Sequence, residues 1–143
     1  MAIRQLSVFL ENRKGRLQAI AQMLGDANVN ISAISVADTA EFGILRLIVD
    51  NVALAEKTLK ENSVVFHTND VTAIKINTAP GSLAKVLALL NDTSINVEYM
   101  YTVAEPHGES PVMVLRFSDA AVARDVLRKG GVAILSEEDL GIK

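Results

Sequence analysis

An internal repeat constrains the fold of this chain more than any other feature of its sequence. RQLSVFLENRKGRLQAIAQMLGDANVNISAIS aligns with DVTAIKINTAPGSLAKVLALLNDTSINVEYMY at a constant offset of 66 positions. The offset becomes 68 where LAEKTL meets VARDVL, because the second copy has a longer connection. Two copies indicate a duplication rather than a solenoid, and we expect units at residues 1–69 and 70–143.

Each copy predicts strand, helix, strand, strand, helix, strand. The first helix of the first copy has apolar residues at i, i+3, i+4 and i+7, so they share one face. We expect that helix to stop at Gly25 and its counterpart at Asn91, and the second helices to be capped by Asp50 and Ser118. Strands are expected at 29–37, 43–49, 64–67 and 132–135. The final SEEDLGIK is expected to be a solvated end.

This element order predicts the ferredoxin-like α+β sandwich, with both helices on one face of an antiparallel sheet. Simple strand alternation leaves the other face of the first copy apolar. Because that face is too apolar to lie bare in water, we expect another sheet or subunit to cover it, as in a homodimer. The face is expected to hold Phe9, Ile34, Val36, Ile44 and Ile48; its counterpart is expected to hold Lys75, Glu98, Met100, Thr102 and Arg116 and to stay partly solvated.

The composition excludes several classes of protein. No apolar run reaches the roughly 20 residues that span a bilayer, and no signal peptide is recognisable, so we expect a cytoplasmic protein without membrane contact. A net charge of −3 disfavours nucleic acid, which attracts concentrated positive charge. The chain has no cysteine, and His67 and His107 lack a visible third ligand. We therefore expect no metal site and no other cofactor.

The turn between the first strand and first helix is the strongest local signal for a binding site. It reads ENRKGRL in the first copy and NTAPGSL in the second. Gly15 and Gly81 let the backbone approach a ligand, and the unpaired amides of the next helix suit a carboxylate. Pro80 has a fixed φ that pre-organises its turn. Alternatively, both glycines are simple strand-to-helix corners.

An asparagine between two apolar residues marks the second strand of each copy. Asn30 and Asn96 occupy positions where strands usually carry β-branched or aromatic residues. Their amides offer an acceptor for an ammonium group and donors for a carboxylate, so loop and asparagine together suit a zwitterion. Alternatively, each asparagine pairs with backbone at a strand edge.

PGSLAKVLALLND followed by INV, and KGRLQAIAQMLGDANVNI, resemble the ACT domain, a ferredoxin-like regulatory module that binds amino acids or other small effectors. The resemblance covers nearly the whole chain as two tandem, free-standing units. It implies a ligand between two such domains, held by the first loop of one and the start of the second strand of another. Lys14 departs from the family pattern, where proline is common, and makes the first loop more basic. The site positions that the resemblance implies are Asn12, Gly15, Arg16, Leu17, Asn30 and Ile31 in the first copy, and Thr78, Pro80, Gly81, Ser82, Leu83, Asn96 and Val97 in the second.

The combined prediction is a non-catalytic regulatory protein that binds an L-amino acid and signals to a partner protein. A metabolic enzyme is one possible partner. No nucleophile, base and orienting group come together in the sequence. An assembly module without a ligand is one alternative. An RNA-binding module would need aromatic residues on the open sheet face, where the first copy offers only Phe9. An acylphosphatase-like enzyme would use Arg16 and Asn30, but Ser82 replaces the arginine in the second copy.

Overall fold

The computed structural model describes residues 2–38, 42–103 and 110–143. In that part of the chain, no helix has the length and apolar character needed to cross a bilayer. In chain order the elements are β1 (Ile3–Glu11), α1 (Arg16–Asp26), β2 (Ile31–Asp38), β3 (Phe42–Val49), α2 (Val52–Glu61), β4 (Phe66–Lys75), α3 (Ser82–Ala88), β5 (Val97–Thr102), β6 (Val112–Phe117), α4 (Ala120–Lys129), β7 (Ile134–Leu135) and a 3₁₀-helix (Glu138–Leu140).

The chain divides into two compact units. The first unit comprises Arg4–Asn69 and Gly141–Lys143, and the second unit comprises Met1–Ile3 and Asp70–Leu140. In the first unit the strands follow the spatial order β2-β3-β1-β4, and in the second β7-β4-β6-β5. The strand pairs β1–β3, β2–β3, β4–β6, β4–β7 and β5–β6 are antiparallel. These features confirm the predicted ferredoxin-like α+β fold.

Two predicted strands end in other places. The pattern predicts a break after residue 67, but β4 continues from Phe66 to Lys75. Strand hydrogen bonds are made by the backbone, so the polar Thr68, Asn69 and Asp70 do not interrupt the extended chain. The strand predicted at 132–135 is limited to Ile134–Leu135.

Apolar residues of the helices and strands form the core of each unit. In the second unit, α4 and the segment after α3 supply Leu90, Ala123 and Leu127, which cluster with strand residues Ile74, Leu115 and Phe117. In the first unit the corresponding buried residues are Ile20, Leu24, Val52, Ala55 and Leu59 of the helices and Leu6, Val8, Leu45 and Leu47 of the strands.

A β-bulge at equivalent places changes which side chains share a face of each sheet. The β2–β3 pairing shifts between Ile31 and Ala33, and the β5–β6 pairing shifts between Val97 and Tyr99. Because side chains alternate along a strand with a period of two, one extra residue moves all later side chains to the other face. The faces predicted by simple alternation are therefore wrong beyond each bulge.

In the first unit, the bulge places Ile34 and Val36 on the face opposite to the predicted one. They pair with Leu47 and Leu45, which are buried core residues. Ile34 and Val36 remain 46% and 49% exposed. They lie on β2, the edge strand of the sheet.

In the second unit, the same shift moves Met100 and Thr102. Met100 pairs with Leu115 and packs against the core cluster, and Thr102 pairs with Met113. Both were expected on the partly solvated face with Lys75, so that expectation is wrong for the residues that follow the bulge.

The predicted helix ends at Gly25 and Asn91 are also wrong. Helix α1 continues through Gly25 to Asp26, and Asn28 adopts the left-handed conformation with φ 61°. The N–H of Val29 donates to the Leu24 carbonyl at 2.9 Å, and the N–H of Asn28 donates to the Gly25 carbonyl at 3.0 Å. This is a Schellman motif, in which asparagine takes the left-handed place often held by glycine. Helix α3 ends at Ala88, before Asn91.

The C-terminal segment is ordered rather than a solvated end. Ser136 and Asp139 bond reciprocally, each backbone N–H donating to the other side chain at 2.8 and 3.1 Å. Ile142 is buried. The N–H of Lys143 donates to the Asp50 carbonyl at 2.7 Å, so the last residues pack as part of the first unit.

Candidate functional site

Both predicted loops enter their helix through a glycine in a left-handed conformation. Gly15 has φ 86° and Gly81 has φ 83°, and each is the N-cap residue of α1 or α3. Residues with a side chain avoid this region, because Cβ approaches the following carbonyl oxygen. Backbone geometry alone therefore explains glycine at both corners.

The first helical turn nevertheless leaves N–H groups available to a ligand. Neither helix has a side-chain cap. Arg16 and Ser82 donate their N–H within their own loops, whereas the N–H groups of Leu17 and Leu83 find no acceptor in the described part of the chain. Such groups are potential donors to a carboxylate.

The first loop also carries positive charge. Arg13 pairs with Glu11 at 3.1 Å on the surface, and Lys14 and Asn12 are exposed. Arg16 is half-buried, and its Nε is buried without a hydrogen-bond acceptor among the described residues. A buried donor without a partner is costly. Among the side chains of this loop, Arg16 is therefore the best placed to meet an anion.

The second loop borders two clefts within the second unit. The larger, here named the α3 cleft, has a volume of about 670 Å³, within the usual range for small-molecule sites. Thr78, Gly81, Ser82 and Leu83 line it. Pro80 lines the smaller cleft of about 460 Å³, here named the lysine cleft because Lys75 and Lys85 also border it.

Each predicted asparagine lies just before its strand, with its backbone fixed on both sides. The N–H of Asn30 donates to Asp50 Oδ1 at 2.9 Å, and the Asn30 carbonyl accepts from the N–H of Asp50 at 3.0 Å. The N–H of Asn96 donates to Ser118 Oγ at 2.9 Å, and the Asn96 carbonyl accepts from the N–H of Ser118 at 3.0 Å. The side chains of both asparagines are exposed, and neither makes a hydrogen bond to the described residues.

The side chains of Asp50 and Ser118 therefore accept hydrogen bonds from the asparagine backbone and do not cap the helices that follow. The prediction that they are N-caps is wrong by one residue. The side chain of Asn51 caps α2, accepting from Leu54 N–H at 3.1 Å, and that of Asp119 caps α4. Asp, Asn and Ser are all good caps, so residue type could not choose between neighbours.

The sequence contained a signal for this arrangement. The repeat offset of 68 already aligns Asp50 with Ser118, two side chains with acceptor oxygens that directly follow the third strand. Their equivalence pointed to a shared role. That the asparagine N–H groups are their partners could be seen only in the folded structure.

Within one unit the two parts of the predicted site do not meet. Asn30 precedes β2, whereas the first loop follows β1 at the end of the sheet where Leu10 pairs with Gly43. The eight residues of β2 separate these ends by roughly 25 Å. In the second unit Asn96 precedes β5, and Thr102 at the other end of β5 lines the α3 cleft.

The remaining predicted residues, Ile31 and Val97, lie directly before the two bulges. Both are half-buried. Ile31 pairs with Val49, and Val97 pairs with Phe117 and packs against the core cluster. Each of them directly follows an asparagine, so its pairing in the sheet anchors the backbone next to that asparagine.

His67 belongs to no metal centre among the described residues. His67 makes an edge-to-face contact with Phe9 at 5.7 Å between ring centroids. No three His, Asp or Glu side chains gather around a common point in residues 2–38, 42–103 and 110–143. His107 lies outside the described residues.

Comparison with solved structures identifies a similar protein over almost the whole chain. Protein BT0572 from Bacteroides thetaiotaomicron is 38% identical, with a TM-score of 0.91, and the match covers 99% of this chain and 96% of that one. Among proteins with curated descriptions, none matches this chain.

Two aspartate kinase structures share the fold at lower identity. The ligand-free regulatory subunit of aspartate kinase from Thermus thermophilus is 14% identical with a TM-score of 0.60, covering 87% of each chain. Aspartokinase III from E. coli, solved in complex with lysine and aspartate, is 14% identical with a TM-score of 0.51. That match covers 90% of this chain and 30% of the enzyme.

The family assignment follows from the sequence as well as the fold. The family model described as the ACT domain pair matches residues 1–142. This confirms the resemblance seen in both copies of the repeat, and it accounts for nearly the whole chain. The protein belongs to the ACT domain pair family.

Proposed function

We propose that this protein is a non-catalytic regulator that binds an L-amino acid between ACT units and passes the signal to a partner protein. One observation supports the proposal: each unit has groups that could hold a ligand at both ends of its sheet. One half is the loop at Gly15 or Gly81, and the other is the exposed side chain of Asn30 or Asn96. We place the two halves of one site on two copies of the chain, with the loop on a unit of one copy and the asparagine on a unit of the other.

The two halves complement the two charges of an amino acid. Unpaired N–H groups of the first turn, with Arg16 in the first unit, suit the carboxylate. The carboxamide oxygen of an asparagine accepts from the ammonium group. The backbone of each asparagine is held by Asp50 or Ser118, so less conformational freedom is lost when the ligand binds.

Family membership supports a regulatory role. The regulatory subunit of aspartate kinase from Thermus thermophilus shares this fold, and so does E. coli aspartokinase III, which was solved with lysine and aspartate. By analogy, we propose a metabolic enzyme as the partner, in the cytoplasm. A ligand gripped between units favours one packing of those units, and a partner that prefers this packing responds to the ligand.

A homodimer is part of the proposal. The exposed Ile34 and Val36 lie on edge strand β2. Exposed apolar edge strands readily pair with another chain, because their backbone N–H and C=O groups lack partners on one side.

A thermal-shift panel of the common L-amino acids tests the ligand class. A specific ligand at 100 times its dissociation constant adds about 2.7 kcal/mol of stability, which raises the melting temperature by several degrees. Calorimetric titration then measures the affinity. If no amino acid shifts the transition or releases heat, the sensing function is wrong and the assembly role gains support.

Alanine variants of the two asparagines locate the site. Asn30→Ala and Asn96→Ala each remove an exposed side chain without a hydrogen bond to the described residues, so both proteins should fold like the wild type. We expect at least one variant to lose binding tenfold or more. Asn91→Ala, at an exposed turn position, is the matched control and should bind normally. Unchanged binding in both site variants would remove the asparagines from the proposal.

A further inference from the structure

Helix α3 is less well packed than its counterpart in the first unit. Helix α1 has 11 residues and buries Ile20 and Leu24 completely. Helix α3 has 7 residues, and none of them is buried. Val86, which matches Ile20 in the repeat, is half-buried. Leu83 and Leu87 of α3 are half-buried as well, so part of the apolar surface of this helix stays open to solvent.

The α3 cleft lies beside the half-buried Leu83 and Leu87 of this helix. Its apolar wall is formed by Ile76, Leu83 and Leu87, with Met113 from β6 and Pro111 before it. Its polar lining consists of uncharged groups: the side chains of Asn77, Thr78, Ser82 and Thr102. None of its described lining residues is charged.

We infer that the α3 cleft receives a large apolar side chain, branched aliphatic or aromatic, of the amino acid that the protein binds. This inference rests on the proposed function, because it assumes that Thr78, Ser82 and Leu83 of the second loop hold the polar end of that ligand. It narrows the effector from amino acids in general to those with large apolar side chains.

The described lining of the cleft disfavours a charged side chain. A lysine or aspartate side chain placed among Ile76, Leu87 and Met113 would lose hydration and meet no opposite charge among the described lining residues. An apolar side chain instead gains roughly fourfold in affinity for each buried methylene group. The thioether of Met113 adapts its shape to branched and aromatic groups alike.

Calorimetric titration with leucine, phenylalanine, alanine, lysine and aspartate tests the inference. We expect leucine or phenylalanine to bind at least tenfold more tightly than alanine, and the two charged amino acids to bind more weakly still. Thr102→Trp fills the cleft from an exposed strand position that tolerates aromatic residues. It should weaken binding of the apolar ligand at least tenfold.

Val122→Trp is the matched control, since it adds the same side chain at a 46% exposed position of α4 that does not line the cleft. It should bind like the wild type. Methyl NMR gives an independent reading: the Met113 signal should shift on titration with leucine, while that of Met23 in α1 should not.

The outcomes separate the inference from the function on which it rests. Binding of lysine or aspartate in preference to leucine, or unchanged leucine affinity in Thr102→Trp, overturns the inference and leaves amino-acid sensing intact. The absence of binding by every amino acid overturns the proposed function, and the inference falls with it.

Discussion

Asn30 and Asn96 combine a fixed backbone with an exposed side chain. Their N–H groups donate to Asp50 and Ser118, and their carbonyls accept from the same two residues. The sequence alternatives were a binding role or a bond to backbone at a strand edge. In the structure the backbone of each asparagine makes these hydrogen bonds, and both amide side chains are exposed and could contact a ligand.

Substitutions of Asp50 should show that its side chain stabilises the fold by accepting from the Asn30 N–H and not by capping α2. Asp50→Ala removes the acceptor for the Asn30 N–H, and we expect a loss of about 1 kcal/mol in the free energy of unfolding. Asp50→Asn keeps an acceptor oxygen at the same place and should recover most of that loss. Urea unfolding followed by circular dichroism measures both, and equal losses in the two variants would contradict this role.

Two glycines of the first unit should respond in opposite ways to alanine. Gly25 lies inside α1 with ordinary φ and no atom within 4 Å of an added Cβ, so Gly25→Ala should stabilise by about 0.5–1 kcal/mol. Gly15→Ala must adopt φ near 86° and should destabilise by about 1–2 kcal/mol. Thermal unfolding of the two variants gives the sign directly. Stabilisation by Gly15→Ala would show that the left-handed corner is wrong.

The helices and the order of elements were predictable because they depend on patterns that extend over many residues. The i, i+3, i+4, i+7 spacing identifies the core face of α1, where Ile20 and Leu24 are buried. The duplication supports this element order a second time, because the same pattern occurs at equivalent positions of both copies.

The bulges were not predictable from alternation. One extra residue after Ile31, and one after Val97, reverses the faces of all later side chains in the strand. No residue type at these positions demands a bulge. For this reason the sequence placed Thr102 on the open face, whereas the structure places it at the α3 cleft.

Helix ends were predicted to within a few residues only. Asp50 and Asn51 are adjacent and both suit an N-cap, and Gly25 and Asn28 both tolerate the left-handed conformation. In each case hydrogen bonds formed in the folded chain choose between two residues that are locally equivalent. The two loop corners were easier to predict, because a left-handed backbone position selects glycine at 15 and 81.

The duplication has produced two units of one fold with unequal loops. The first loop carries Arg13, Lys14 and Arg16, and the second borders an apolar cleft. A pair of ACT units therefore need not hold two equal ligands, and we expect the stoichiometry of binding to reflect the second unit.

The proposed homodimer can be tested at the β2 edge. Val36→Lys places a charge at a 49% exposed apolar edge position, where it should oppose pairing with a second chain. Analytical ultracentrifugation should show a shift toward monomer by tenfold or more in dissociation constant. Val65→Lys, at a 65% exposed position before β4, is the control and should leave assembly unchanged. A wild-type monomer at all concentrations would contradict the dimer.

Complementation between two defective chains tests the central proposal most directly: a ligand held by the loop of one copy and the asparagine of another. Ser82→Glu places a carboxylate in the loop, where it should repel the ligand, and it is mixed with the asparagine variant that loses binding. After joint unfolding and refolding, half of the dimers contain one chain of each kind, each with one intact site. The account predicts that calorimetry recovers roughly a quarter of the wild-type sites, although neither variant binds alone. No recovery in a mixture that forms dimers would contradict it.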